Sequence, residues 1–187
     1  MNRLNTVIAV LAAGLILSGC GENGEEEPSI LEAYWLNLQE HCGEAFAGEI
    51  LQRPDNDPYF TGDDELVVHF RECGEDEMKI PFHVDDNRSR TWVLMKSEEE
   101  IELRHDHRYE DGTEEENTWY GGYTLEPISE HVQEFMRSEH PNTGWRIVIK
   151  PGEKYEYGTI RDGEWSYHLT FDLTEPVETP PAPWGHE

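Results

Sequence analysis

The sequence predicts a mainly β protein: an antiparallel β-barrel with a short N-terminal helix, with a β-sandwich as the alternative. Three observations lead there. From Ala45 onward apolar and polar residues alternate with period two, as in strands that bury one face. Turn pairs separate the alternating runs at Asp111-Gly112, Pro151-Gly152 and Asp162-Gly163. Six Trp, eight Tyr and six Phe are interleaved with polar residues, whereas acid-rich disordered segments are poor in aromatics.

The helix comes first. Ser29 is placed to cap it, Glu32 stands three residues on as in a capping box, and Leu31, Tyr34, Trp35 and Leu38 share one face. It runs to Cys42, and Gly43 supplies the stop. Strands are then expected over Phe46–Leu51, Glu65–Cys73, Met78–Val84, Thr91–Lys96, Ile101–Tyr109 and Asn117–Thr124. Pro81 marks an edge, a bulge or a strand end. In Pro127–Glu139 the apolar residues Ile128, Val132, Phe135 and Met136 keep helical spacing, which predicts a second short helix. Three strands follow, Trp145–Lys150, Lys154–Arg161 and Glu164–Leu173, joined by hairpin turns. The Pro-rich tail is extended, with Trp184 expected to pin it onto the domain.

Charge narrows the partners. With 41 acidic against 14 basic residues the formal net charge is −27, which repels phosphate backbones and anionic headgroups, so nucleic acid is not an expected partner. Ahead of the domain, Asn2 and Arg3 give a polar, positive start. An apolar run from Val7 follows and ends in Leu17-Ser18-Gly19-Cys20. The run is shorter than the roughly 20 residues that cross a bilayer and fits the ~7–15 of a signal-peptide core.

This layout resembles the signal peptide and lipobox of bacterial lipoproteins; a plain secretory signal and a short membrane anchor are the alternatives. The resemblance implies removal of residues 1–19, lipidation at Cys20 with acylation of the new N-terminus, and a cell-envelope location. Gly21 stands where an Asp resembles an inner-membrane retention signal, which points to the outer membrane. Residues 20–28 then form a flexible acidic tether and 29–187 a single domain. With Cys20 lipidated in an oxidising compartment, Cys42 and Cys73 are left as an even pair, and a disulfide is expected between them.

The helix leading into a meander of hairpins loosely resembles the lipocalins and related calycins. The first strand, however, carries Phe46-Ala47-Gly48-Glu49 where that family has Gly-x-Trp. Arg90–Leu94, Arg104–Arg108 and Pro181–Gly185 resemble segments of exported bacterial β-rich proteins, a likeness that implies a domain type and no chemistry.

Two function classes follow. The first is a non-enzymatic envelope module binding a small apolar ligand or an envelope protein. Its cavity candidates are Trp145, Tyr155, Tyr157, Trp165 and Tyr167, because ligand sites favour aromatic walls. The second is a metal-binding protein or metal-dependent hydrolase. His105 and His107, two apart on a strand, point the same way and can share a divalent metal, with Glu114, Glu115 or Glu116 across the turn to complete the site. Against that, the row of Ile101 and Leu103 simply turns polar near a barrel mouth, and Arg104, Asp106 and Arg108 form an exposed ladder facing acids on the next strand. The acidic loop Pro54–Pro58, with Asp63, Asp64 and Glu65 beyond, reads as a solvated loop, since it lacks the Gly and final Glu placement of a calcium EF-hand.

Overall fold

The structure, a computed structural model, describes residues 27–186, so the lipobox-like segment and Cys20 lie outside the described residues. Helix α1 (Ile30–Gln39) is followed by β1 (Ala45–Gln52), β2 (Leu66–His69), the short β3 (Glu72–Cys73), β4 (Glu77–Val84), β5 (Asn87–Lys96) and β6 (Ile101–His107). Then come β7 (Tyr120–Thr124), β8 (Val132–Arg137), β9 (His140–Lys150), β10 (Lys154–Arg161), the short β11 (Glu164–Trp165) and β12 (His168–Asp172). Ten of these strands form a closed antiparallel barrel. Around the ring each strand pairs with its neighbour in the chain, and β12 returns to β1 to shut it. The short β3 and β11 hang off β4 and β10. The barrel reading holds, and the sandwich does not. Among the described residues no helix is long and apolar enough to cross a membrane.

The tenth strand is the correction. Residues 132–137 form β8, not a helix. Gln133 and Phe135, both fully buried, lie opposite Ile147 and Trp145 on the inner face of β9, while Val132 and Met136 face outward. A polar residue inside and apolar residues outside hide the period of two. Gln133 is satisfied there, because its amide donates to the Ser129 carbonyl and accepts from the Ile128 N–H. The run expected over 65–73 also breaks into β2 and β3 at Phe70-Arg71.

The core fills the barrel from its closed end. Ser29 caps α1 by accepting from the Glu32 N–H at 3.2 Å, and Leu31, Tyr34, Trp35 and Leu38 are turned onto the interior. Burying side chains of this size stabilises by roughly 1.5–3 kcal/mol each. The helix is tied to the rim at four points. Lys96 meets Glu32 at 2.7 Å, the Gln39 amide meets the Gly74 carbonyl, Asn37 meets Glu130 and His131, and His41 accepts from the Gly152 N–H. The Cys42–Cys73 disulfide, with its Cα atoms 6.0 Å apart, fastens the end of this segment to β3. Gly48 on β1 is required by its partner: a Cβ there would lie 2.4 Å from the Phe171 ring.

The tail runs along the outside. Val177 bridges to Ala45, the backbone N–H of Trp184 donates to the Arg88 carbonyl while its indole is half-buried, and Arg88 returns a bond to the Ala182 carbonyl at 2.8 Å. His186 reaches Asp106 at 2.7 Å. Asp106 is therefore 1% exposed and paired with Arg108 just beyond β6. The expected exposed ladder forms only at Arg108, which meets Glu114 across the turn at 3.4 Å; Asp106 is buried under the tail and Arg104 turns to Glu102 and Tyr123.

Candidate functional site

The end of the barrel away from α1 opens into a cavity of about 370 Å³. Its floor and walls are inward side chains of β4, β5, β6, β7, β10 and β12. Phe82 stacks on Trp92 with centroids 5.0 Å apart, and Tyr157 lies on Trp92 at 3.9 Å. Across from them His105 and Tyr120 stack at 4.6 Å. The β1–β2 connection covers part of the mouth, its Phe60 leaning on Phe82 and Tyr167. Asp57 holds this connection in place. Its carboxylate accepts from the N–H groups of Tyr59 and Phe60 and from the Tyr167 hydroxyl at 2.9 Å, with Arg53 beside it. Burial and that carboxylate push the Tyr167 hydroxyl up to about 12. Asp64 likewise accepts from the Thr61 N–H and hydroxyl and from the Gly62 N–H. Asp57 and Asp64 thus brace their own loop.

The two histidines occupy the inner face as the alternation predicts. His105 is 3% exposed, and both ring nitrogens are engaged. Nδ1 donates to the Tyr120 carbonyl at 3.1 Å, and Nε2 accepts from the Tyr157 hydroxyl at 2.5 Å. His107 shares a bond with the Tyr120 hydroxyl at 3.1 Å, and Glu115 lies 3.8 Å from its Nδ1. Burial lowers His105 to about 3, helped by the positive charges of His107, Arg137 and Arg104. Burial and then Arg90 lower His107 to about 4. Both rings are neutral at pH 7. Burial also raises the Tyr120 and Tyr157 hydroxyls.

This geometry favours a hydrogen-bonded aromatic wall over a metal centre. The ring centroids of His105 and His107 stand 6.5 Å apart, and His105 has no ring nitrogen left for an ion. Among the described residues no three His, Cys, Asp or Glu side chains gather as metal ligands. Glu114 turns to the outer face to meet Arg108 and the Trp119 indole N–H, and Glu116 is exposed.

The five aromatic cavity candidates separate. Tyr157 and Tyr167 line the cavity. Trp145 lines an adjoining side opening between β7 and the β8–β9 hairpin, where Arg137 lies over its ring at 4.7 Å. Tyr155 is fully buried in the core below. Trp165 belongs to the outer surface, stacked on His168 and covered by Arg146. Sequence reasoning missed Trp92, Tyr120 and Phe82. All three sit at inward positions of their alternating strands, and that parity is the signal that identifies them. No family model matches this chain, and neither the curated proteins nor the solved structures compared with it contain a match.

Proposed function

We propose that the protein is a lipid-anchored envelope lipoprotein without catalytic activity, whose barrel mouth binds a small ligand. The observation that carries the binding reading is the aromatic-walled cavity of about 370 Å³. It falls at the lower end of the ~300–1,000 Å³ usual for ligand pockets, and such pockets combine apolar walls with a few polar groups. Trp92, Tyr157 and Phe82 supply the walls, and neutral His105 and His107 supply polar edges without a net charge. Anchorage is supported by the lipobox-like Leu17-Ser18-Gly19-Cys20 alone.

Binding is tested by titrating the full chain with N-phenyl-1-naphthylamine, a neutral fluorophore that brightens in apolar sites. Saturable one-to-one binding is expected, weakened at least about tenfold by Thr159→Trp, which places an indole in the cavity. Binding that is absent, or indifferent to this substitution, refutes the reading. Anchorage is tested by feeding cells a clickable palmitate analogue; label that persists in Cys20→Ala refutes it.

A further inference from the structure

Building on the reading of the mouth as a ligand site, we infer that its ligand is a small planar anion, in simplest form an aromatic carboxylate, whose acidic group is held by Arg90.

Arg90 shares the inner face of β5 with Trp92 and Leu94, stands opposite His107 on β6 and Phe82 on β4, and lines the cavity. Eight of the thirteen Lys and Arg side chains among the described residues meet a carboxylate; Arg71, Arg88, Arg90, Arg137 and Arg161 do not, and of these five Arg90 alone lines the cavity at the mouth. Among the described residues Arg90 makes no ion pair and its guanidinium has no hydrogen-bond partner. The one carboxylate that lines the cavity, Glu115, lies instead beside His107.

The field of Arg90 projects into the cavity. Its charge disfavours protonation of His107 and opposes the upward push of burial on Tyr120 and Tyr157. Arg90 is half-buried and its guanidinium nitrogens stay accessible, so an anion entering the mouth can reach them. The planar fork of the guanidinium matches a carboxylate through two parallel hydrogen bonds. The stacked rings of Phe82, Trp92 and Tyr157 select a flat body beside that group, and the volume limits its size. Arg137, also without an ion pair among the described residues, stands at the adjoining opening and adds to the attraction.

The test compares two ligands of one shape, 2-naphthoate and 2-naphthamide, by calorimetric titration of the full chain. The carboxylate is expected to bind about tenfold to a hundredfold more tightly than the amide, the range for a charge-assisted pair. Arg90→Gln is expected to remove that preference, and Arg90→Lys, which keeps the charge and loses the fork, to keep only part of it. Equal affinities in the wild-type protein, or a preference that survives Arg90→Gln, overturn the anion assignment and leave the cavity reading standing. Binding of neither ligand overturns both.

Discussion

Replacing His105 with Gln tests whether the mouth is as dry as its geometry implies. The folded His105 titrates near 3 because it is buried among aromatics, whereas in the unfolded chain it returns to 6.5. Below pH 6.5 the unfolded state therefore takes up a proton that the folded state refuses. His105 alone thereby costs the wild-type protein about 1.4 kcal/mol per pH unit as pH falls from 6.5 toward 3. Between pH 7 and pH 5 the loss comes to about 2 kcal/mol, and any folded value below about 4 gives the same figure. Acidification also relieves repulsion among the 41 carboxyl groups, which works the other way. That relief, and the like contributions of buried His83 and His107, are common to wild type and His105→Gln and cancel in their difference. Gln keeps a polar group facing Tyr157 and Tyr120 but does not titrate. Denaturant unfolding of both proteins at pH 7 and pH 5 should show the stability gap shifting by about 2 kcal/mol in favour of the variant at the lower pH. A gap that moves by less than about 0.5 kcal/mol would mean that His105 protonates as readily in the folded barrel as outside it, and the account of a dry wall would fail.

Other outcomes follow from single contacts. Cys42→Ser with Cys73→Ser opens a loop of 31 residues and should cost about 3–4 kcal/mol in the chain-entropy account, read as a lower denaturant midpoint with a steeper slope, since the unfolded chain is freed to expand. Gly121→Ala places a Cβ 1.7 Å from the Leu103 carbonyl oxygen on the neighbouring strand, so the β6–β7 seam must part. A loss of at least about 3 kcal/mol, or failure to fold, is expected in thermal melts. Trp184→Ala should free the tail at a cost of about 1–2 kcal/mol; limited proteolysis would then clip near residue 180 several times faster, while the barrel survives.

Much of this fold was legible because the alternation is strong where one face is apolar. β4, β6 and β10 lie within one or two residues of their expected bounds, the Ser29 cap stands where local chemistry put it, and the Cys42–Cys73 bond joins the pair that the cysteine count left. β8 was illegible because its inward Gln133 finds partners in the preceding turn, a tertiary detail that reverses the apparent pattern. The cavity was only half legible. Parity assigns His105, His107 and Tyr157 to the interior, but depth along the barrel depends on register. Register separates Tyr157 at the mouth from Tyr155 in the core, and the same pairing leaves Trp165 outside. Asp106 illustrates a different limit, since the residue that buries it, His186, is 80 positions away.

The closure of β12 onto β1 also bears on how the chain reaches this state. Every other seam of the ring joins strands that are neighbours in the chain and can zip as they are made. The last seam waits for residues 168–172, more than a hundred positions after β1. Until β12 emerges, β1 is an unpaired edge with Phe46 and Ile50 on the face later turned inward. Folding must therefore carry an open, sticky margin through nearly the whole length of the barrel. The bulge between Ile50 and Gln52 breaks the regularity of that margin and makes β1 a poorer template for a second chain.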